Sequence, residues 1–142
     1  MGVFGANGSG KTNLLKGLVF LSFFLRHSYQ NLGEKDPIPV DGFFHLDSKI
    51  PVSLKLDFEG NGGVYRYECK LLPESVIGEK LSKLNLETGY FRVLMARDKS
   101  GKITGRDFDI DRATITRLLK DRPNASMFAA GLLTGSKEIE KI

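Results

Sequence analysis

The segment GANGSGKT, residues 5–12, constrains this chain more than any other feature of the sequence. Gly5, Gly10, Lys11 and Thr12 occupy every fixed position of the pattern G-x-x-x-x-G-K-[ST]. Glycines allow consecutive backbone N–H groups to curl into a concave nest that binds anionic oxygens. The pattern therefore predicts a phosphate-binding loop, followed by a helix whose N-terminal dipole faces the same oxygens.

The fixed positions of this pattern each have a chemical role. Lys11 is expected to reach the β- and γ-phosphates of a nucleotide as a point charge, and it is the predicted catalytic residue. The Thr12 hydroxyl is expected to complete the coordination of a Mg²⁺ ion that retains several waters, so it is the predicted metal ligand. The predicted nucleotide-binding residues are Gly5, Ala6, Asn7, Gly8, Ser9, Gly10, Lys11, Thr12 and Asn13.

The sequence around the loop distinguishes a binding site from a chance glycine- and serine-rich turn. Val3 and Phe4 precede the loop, and the apolar segment NLLKGLVFLSFFL follows it at helix length. We predict a helix from about Lys11 to His27 that is buried on more than one side. The apolar run from Leu18 to Leu25 is too short to span a membrane, which needs about 20 such residues.

Composition places the chain among ordinary globular proteins of the reducing cytosol. The 142 residues are 41% hydrophobic and 27% charged, with a net charge of +4. Acidic and basic residues are interleaved, as in RDKSGKITGRDFDIDR, which is typical of solvated surface; a nucleic-acid-binding face is the less favoured alternative. The single cysteine, Cys69, excludes an internal disulfide, and its spacing from His27 and His45 matches no metal site.

The rest of the chain predicts an antiparallel meander and a helical end. Residues 31–51 contain three of the five prolines and predict a connection without regular structure. Val52 begins a strand of alternating apolar and polar residues, and Asn61-Gly62 is the strongest short hairpin signal. The segments VYRYECKLL, SVIGEKLSKLNL, GYFRVLMARD and ITGRDF predict further strands. A short helix, RATITRLLKDR, should be capped by Asp109 or Asp111 and end before Pro123, while the state of ASMFAAGLL is left open.

These elements define four regions and a mixed α/β fold class. Residues 1–30 hold the phosphate loop and its helix, residues 31–51 the connection, residues 52–108 an antiparallel β-subdomain, and residues 109–142 a helical segment. An acidic residue at the end of an apolar strand, which phosphoryl transfer requires as a metal ligand, is not evident. The nearest candidates are Asp98, separated from its apolar run by Ala-Arg, and the pair Asp57 and Glu59, interrupted by Phe58.

The segments FGANGSGKTNLLKGLVFL, VSLKLDFEGNGGVYRYECKL and NASMFAAGLL together resemble the N-terminal portion of the AAA15 family of ABC-type ATPases. These are relatives of the overcoming-lysogenization-defect and abortive-infection ATPases. The resemblance extends over most of the chain, although only the phosphate loop with its trailing Asn-Leu-Leu is highly specific. It implies a P-loop NTPase fold, namely half of an ABC-type ATPase head in which the antiparallel β-subdomain lies over the helix after the loop.

The resemblance also implies that the protein uses ATP and Mg²⁺ as cofactors and that two heads form a dimer that sandwiches ATP. It implies a role in bacterial defence against phage, in the cytoplasm and without a membrane. Such heads often act beside a nuclease domain or partner, which makes a nuclease and nucleic acid candidate partners of this chain. The sequence departs from the family pattern because the opening strands, the signature motif and the coupling glutamine are absent, Gln30 being the only glutamine. We therefore expect a fragment or truncated product that binds phosphate and hydrolyses ATP poorly alone.

Two other functions are compatible with the sequence. In a small GTPase-like switch, Asp57-Phe58-Glu59-Gly60 would form a D-x-x-G motif, with Asp57 near Mg²⁺ and Gly60 at the γ-phosphate. A hairpin explains the same residues, and an N-K-x-D base-reading motif is absent. Alternatively, the chain is a non-catalytic interaction fragment that retains the loop and uses its strand edges and apolar helix as binding surfaces.

Overall fold

The structure, a computed structural model, describes residues 8–39, 50–60, 62–105 and 111–134, with the side chains of the first helix from residue 15 onward. Within these ranges the fold is mixed α/β, with a five-stranded antiparallel sheet and three helices. None of these helices combines the length and the apolar character that crossing a membrane would require.

Helix α1 spans Gly8–Asn31 and is 24 residues long. It begins three residues before the predicted start and continues four residues beyond the predicted end. One of its faces is buried, through Phe20, Phe24 and Ser28, and the Phe20 and Phe24 rings stack with centroids 5.6 Å apart. The prediction of burial on more than one side was wrong, because Leu15 and Val19 are 55% and 62% exposed.

The sheet is the meander that the period-two pattern predicted. Its strands lie in the order of the sequence, and every neighbouring pair is antiparallel. The five strands are β1 Val52–Gly60, β2 Gly63–Leu72, β3 Ser75–Leu84, β4 Phe91–Arg97 and β5 Ile103–Gly105. Gly60 pairs with Gly63 at the predicted hairpin, and Gly62 has a φ of 86°, which explains why glycine stands there.

Two short helices follow the sheet. Helix α2, Arg112–Leu119, is capped by Asp111, whose carboxylate accepts a hydrogen bond from the Thr114 N–H, so that one of the two predicted caps is confirmed. The other, Asp109, lies outside the described residues. Helix α3, Met127–Leu133, is capped by Ser126, and it resolves the segment whose state the sequence left open.

One hydrophobic core joins these elements. One face of the sheet contributes Tyr67, Leu71, Leu81 and Met95, and α1 contributes Phe20 and Phe24. From the C-terminal helices come Ile115, Met127 and Phe128, and the Phe128 ring meets Tyr67 edge to face at 5.7 Å. The other face of the sheet carries the charged residues of the alternating pattern, such as Lys55 and Asp57, which are exposed.

Candidate functional site

Helix α1 begins inside the predicted phosphate-binding segment. Its first residue is Gly8, so the described backbone from Gly8 to Asn13 forms the first turns of the helix. The first N–H groups of a helix have no partner within it, and the helix dipole adds partial positive charge at that end. No acidic residue occurs in the first turn of α1 to repel an anion. The N-terminal end of α1 therefore carries a partial positive charge that is complementary to a phosphate group.

Of the nine residues predicted to bind nucleotide, six lie on described backbone and three do not. Gly8, Ser9, Gly10, Lys11, Thr12 and Asn13 are consecutive in α1. Gly5, Ala6 and Asn7 lie outside the described residues. The roles assigned to the Lys11 and Thr12 side chains stay predictions, since the structure describes side chains of this helix only from residue 15.

Asp57, the residue that a GTPase-like switch would use, has a structural partner instead. Its two carboxylate oxygens accept hydrogen bonds from Arg66, at 2.7 Å from Nε and 2.8 Å from Nη2. These hydrogen bonds are the main reason that the pKa of Asp57 is lowered. The Arg66 guanidinium also lies over the Phe91 ring, 3.9 Å from its centroid. Asp57 alternates with Leu56 and Phe58, which pack against the core, so its side chain is on the opposite face of the sheet from the core.

Asp98, the other acidic candidate, organises the turn between β4 and β5. Its Oδ1 accepts hydrogen bonds from the Ser100 N–H at 2.9 Å and the Lys102 N–H at 3.1 Å. The Ser100 hydroxyl also donates to it, and this bond is the largest contribution to the lowered pKa of Asp98. Across the described ranges, no three histidine, cysteine or acidic residues cluster in a way that could hold a metal ion.

A buried polar cluster around Glu79 was not predicted from the sequence. Glu79 on β3 is 2% exposed, and its carboxylate accepts hydrogen bonds from the Tyr67 hydroxyl, the Ser126 hydroxyl and the Met127 N–H. Arg97 on β4, 5% exposed, has its Nη1 3.9 Å from the same carboxylate. Burial raises the pKa of Glu79, because the loss of hydration outweighs the attraction of Arg97 and of the three donors.

The segment 122–126 connects the buried Glu79 carboxylate to the C-terminal end of α1. Ser126 donates its N–H to the Ser28 hydroxyl of α1 at 2.9 Å. Asn124 is buried and donates to the carbonyls of Gly33 and Asp36, which follow α1, at 2.9 and 2.7 Å. On the sheet side, Arg97 donates to the Ala125 carbonyl at 2.6 Å. We call Glu79, Arg97, Asn124 and Ser126 with Ser28 the polar junction. It fixes α1, the sheet and α3 relative to one another.

A sequence signal for part of the junction exists. Glu79 lies two residues before Leu81, and alternate residues of a strand share a face, so the period-two pattern places Glu79 on the buried side. Its register partners are Cys69 and Arg97. An acidic residue at an apolar position of a strand is a sign of a buried polar partner. The identity of that partner cannot be read from the pattern, because Arg97 and Ser126 reach Glu79 only through the fold.

Comparison with known proteins assigns the chain to a sequence family. Residues 1–125 match the sequence family described as "AAA domain, putative AbiEii toxin, Type IV TA system". No curated protein and no solved structure matched the chain. The matched range includes the whole phosphate-loop segment, α1, the five-stranded sheet and α2, and it supports a nucleotide-binding, ATPase-like function. Since the match covers most of the 142 residues, the chain belongs to this family of AAA domains.

Proposed function

We propose that this chain binds ATP with Mg²⁺ through residues 5–13, as part of an ABC-type ATPase head of the AAA15 kind. The observation that carries the proposal is the start of α1 at Gly8, within the G-x-x-x-x-G-K-[ST] segment and without an acidic residue in its first turn. This arrangement directs unpaired N–H groups and the helix dipole toward one place, which is the chemistry that binds a phosphate chain. Family membership across residues 1–125 supports the same function.

In this proposal the loop and the helix have different tasks. The backbone N–H groups of the loop hold the phosphates, and Lys11 neutralises the charge of the β- and γ-phosphates. The Thr12 hydroxyl holds Mg²⁺, which when bound polarises the phosphoryl oxygens. Other residues supply the acidic metal ligand and the group that orients the attacking water. Asp57 and Asp98 do not serve, because Asp57 is bound by Arg66 and Asp98 binds the backbone of the β4–β5 turn. Hydrolysis by this chain alone is accordingly slow.

The proposal extends to the setting of the reaction. A second head completes the site by sandwiching the nucleotide, and the complete assembly acts in the cytoplasm in defence against phage, with a nuclease and nucleic acid as partners. The four regions of the chain, with boundaries near residues 30, 51 and 108, serve as loop-and-helix unit, connection, β-subdomain and helical segment. The GTPase-like alternative is not favoured, because Gly60 closes a hairpin and Asp57 is paired with Arg66.

Equilibrium binding of ATP, measured by titration calorimetry with and without Mg²⁺, tests this proposal. Lys11→Ala should weaken binding about 10- to 100-fold, which corresponds to the loss of one charge-assisted interaction. Lys16→Ala is the matched control, because it removes the same charge from the same helix five residues further on. Thr12→Ala should remove most of the Mg²⁺ dependence and leave metal-free binding nearly unchanged.

Three outcomes contradict the proposal. Equal losses for Lys11→Ala and Lys16→Ala would mean that only net charge matters. Tighter binding of GTP than of ATP would favour the switch, and an absence of binding to the folded wild type would favour the interaction fragment.

A further inference from the structure

Strand β1 forms one edge of the sheet in the part of the chain that the structure describes. The strand order is β1-β2-β3-β4-β5, so β1 pairs with β2 on one side and with no described strand on the other. It is nine residues long, and its only neighbouring proline, Pro51, precedes it. A long edge strand without an internal proline presents a row of backbone donors and acceptors that another strand can pair with.

The hairpin between β1 and β2 indicates which residues present these groups. Gly60 and Gly63 flank a two-residue turn, and residues in that position exchange backbone hydrogen bonds with each other. Because bonded positions alternate along a strand, the even-numbered residues of β1 bond to β2. The N–H and C=O groups of the odd-numbered residues therefore face the edge. These residues are Ser53, Lys55, Asp57 and Glu59.

The apolar face of β1 is incompletely covered. Leu54, Leu56 and Phe58 are only partly buried. Leu56 and Phe58 line an open groove of about 670 Å³, whose other walls include Leu21 and Leu25 of α1 and Leu132 of α3. A strand added at this edge would place its own apolar side chains beside Leu54, Leu56 and Phe58.

The charges of β1 select a partner, because the strand is complementary to itself. When two copies of β1 run antiparallel about a two-fold axis at Leu56, all nine residues pair, and Lys55 of each lies opposite Asp57 of the other. Leu54 then lies opposite Phe58, and Leu56 opposite Leu56. With the axis at Lys55, the two Lys55 side chains lie opposite each other and only seven residues pair. With the axis at Asp57, Lys55 lies opposite Glu59, but the two Asp57 side chains face each other and again only seven residues pair. The Leu56-centred register is the one of the three that brings no like charges together. In the Leu56-centred register, the odd-numbered residues are the hydrogen-bonded pairs, as the hairpin geometry requires.

We propose that two copies of this chain associate through β1, in the Leu56-centred register, to form one continuous sheet that joins the five described strands of each copy. The side chain of Asp57 remains 46% exposed while it is bound by Arg66, so its carboxylate can also accept a hydrogen bond from Lys55 of the second copy. The interface is isologous, since each copy contributes the same surface. It requires no nucleotide, and it is separate from the pairing of heads around ATP described under the proposed function.

Light scattering coupled to size-exclusion chromatography, without nucleotide and over a series of protein concentrations, tests the association. The wild type should be dimeric at the higher concentrations. Lys55→Glu places a negative charge opposite Asp57 at two places in the interface and should raise the dimer dissociation constant by at least about tenfold. Lys70→Glu is the matched control, because Lys70 is exposed on β2, away from the edge, and the charge changes equally. A monomeric wild type, or equal effects of the two variants, would overturn the proposal.

Disulfide trapping tests the register. Opposed residues of a non-hydrogen-bonded pair have Cα atoms about 4.5 Å apart, which lies within the range that a disulfide spans. Leu56→Cys should therefore form a covalent dimer on mild oxidation. In Leu54→Cys the two cysteines are offset by four residues, roughly 13 Å along the strands, and should not be linked. Cys69 is buried and is present in both variants. Equal cross-linking of the two variants would refute the register.

Discussion

Replacement of Glu79 by alanine is the most informative single perturbation of the fold. The substitution removes the acceptor of three buried hydrogen bonds, from Tyr67, Ser126 and the Met127 N–H. It also removes the negative charge 3.9 Å from the Arg97 guanidinium. Arg97 is itself buried, its Nη1 donates to the neutral Ala125 carbonyl, and its Nε has no hydrogen-bond partner among the described residues, so Glu79 is its main compensating charge.

The expected cost follows from the donors that remain. A buried donor left without an acceptor costs about 1–3 kcal/mol, and the two hydroxyl groups can reorient to reduce their share. Removal of one partner from a buried ion pair typically costs about 3–5 kcal/mol. We therefore expect Glu79→Ala to lower the free energy of unfolding by about 3–5 kcal/mol. That is a large part of the roughly 5–15 kcal/mol that stabilises a typical domain.

Urea denaturation followed by far-ultraviolet circular dichroism measures this loss. The control is Glu68→Ala, whose carboxylate pairs with Lys80 at 3.1 Å on the exposed face. Surface ion pairs contribute at most about 1 kcal/mol, so the control should stay close to the wild type. If Glu79→Ala costs no more than Glu68→Ala, the polar junction does not hold the elements together, and the reasoning from buried hydrogen bonds is refuted.

The pH dependence of Glu79→Gln gives an independent readout. Burial raises the pKa of Glu79 above its ordinary value of 4.5, so the folded state binds the proton more tightly than the unfolded state. The stabilisation that comes from this tighter proton binding is complete below pH 4.5 and is lost as the pH rises through the pKa of Glu79 in the folded state. The glutamine variant cannot titrate there. The stability of the wild type relative to the variant should therefore decrease as the pH rises through this window, and an unchanged difference would contradict a raised pKa.

Two further predictions concern β5 and Cys69. Gly105→Ala should lower the free energy of unfolding, measured by urea denaturation, by about 1–3 kcal/mol, because the new Cβ would overlap the backbone carbonyl oxygen of Leu94. The control is Gly78→Ala, whose Cβ would have its nearest neighbour at 4.0 Å and which should therefore lower it less. Equal losses would contradict the predicted overlap. The Cys69 thiol should react slowly with a chromogenic disulfide reagent at pH 8, because it is buried and burial raises its pKa to about 12; reaction as fast as in 8 M urea would contradict that burial.

The local elements of this fold could be predicted from the sequence because each depends on neighbours along the chain. Alternation from Val52 to Glu59 and the Asn61-Gly62 turn predicted the first hairpin and the meander that it begins. The pattern G-x-x-x-x-G-K-[ST] predicted a helix after the loop, and α1 begins within that pattern. Its length was underestimated, because the last turn of α1 contains Ser28, whose hydroxyl accepts a hydrogen bond from Ser126 far along the chain.

The sequence by itself determined the phosphate-loop pattern, the order and direction of the strands and the position of the hairpin, since these follow from residue spacing and from turn geometry. Only the tertiary structure decided that Glu79 meets Arg97 and Ser126 and that one face of α1 remains exposed. The physical reason is that a buried charge is stable only where several segments bring donors to it at once. The residues that supply those donors to Glu79 are 12 to 48 positions away in the chain.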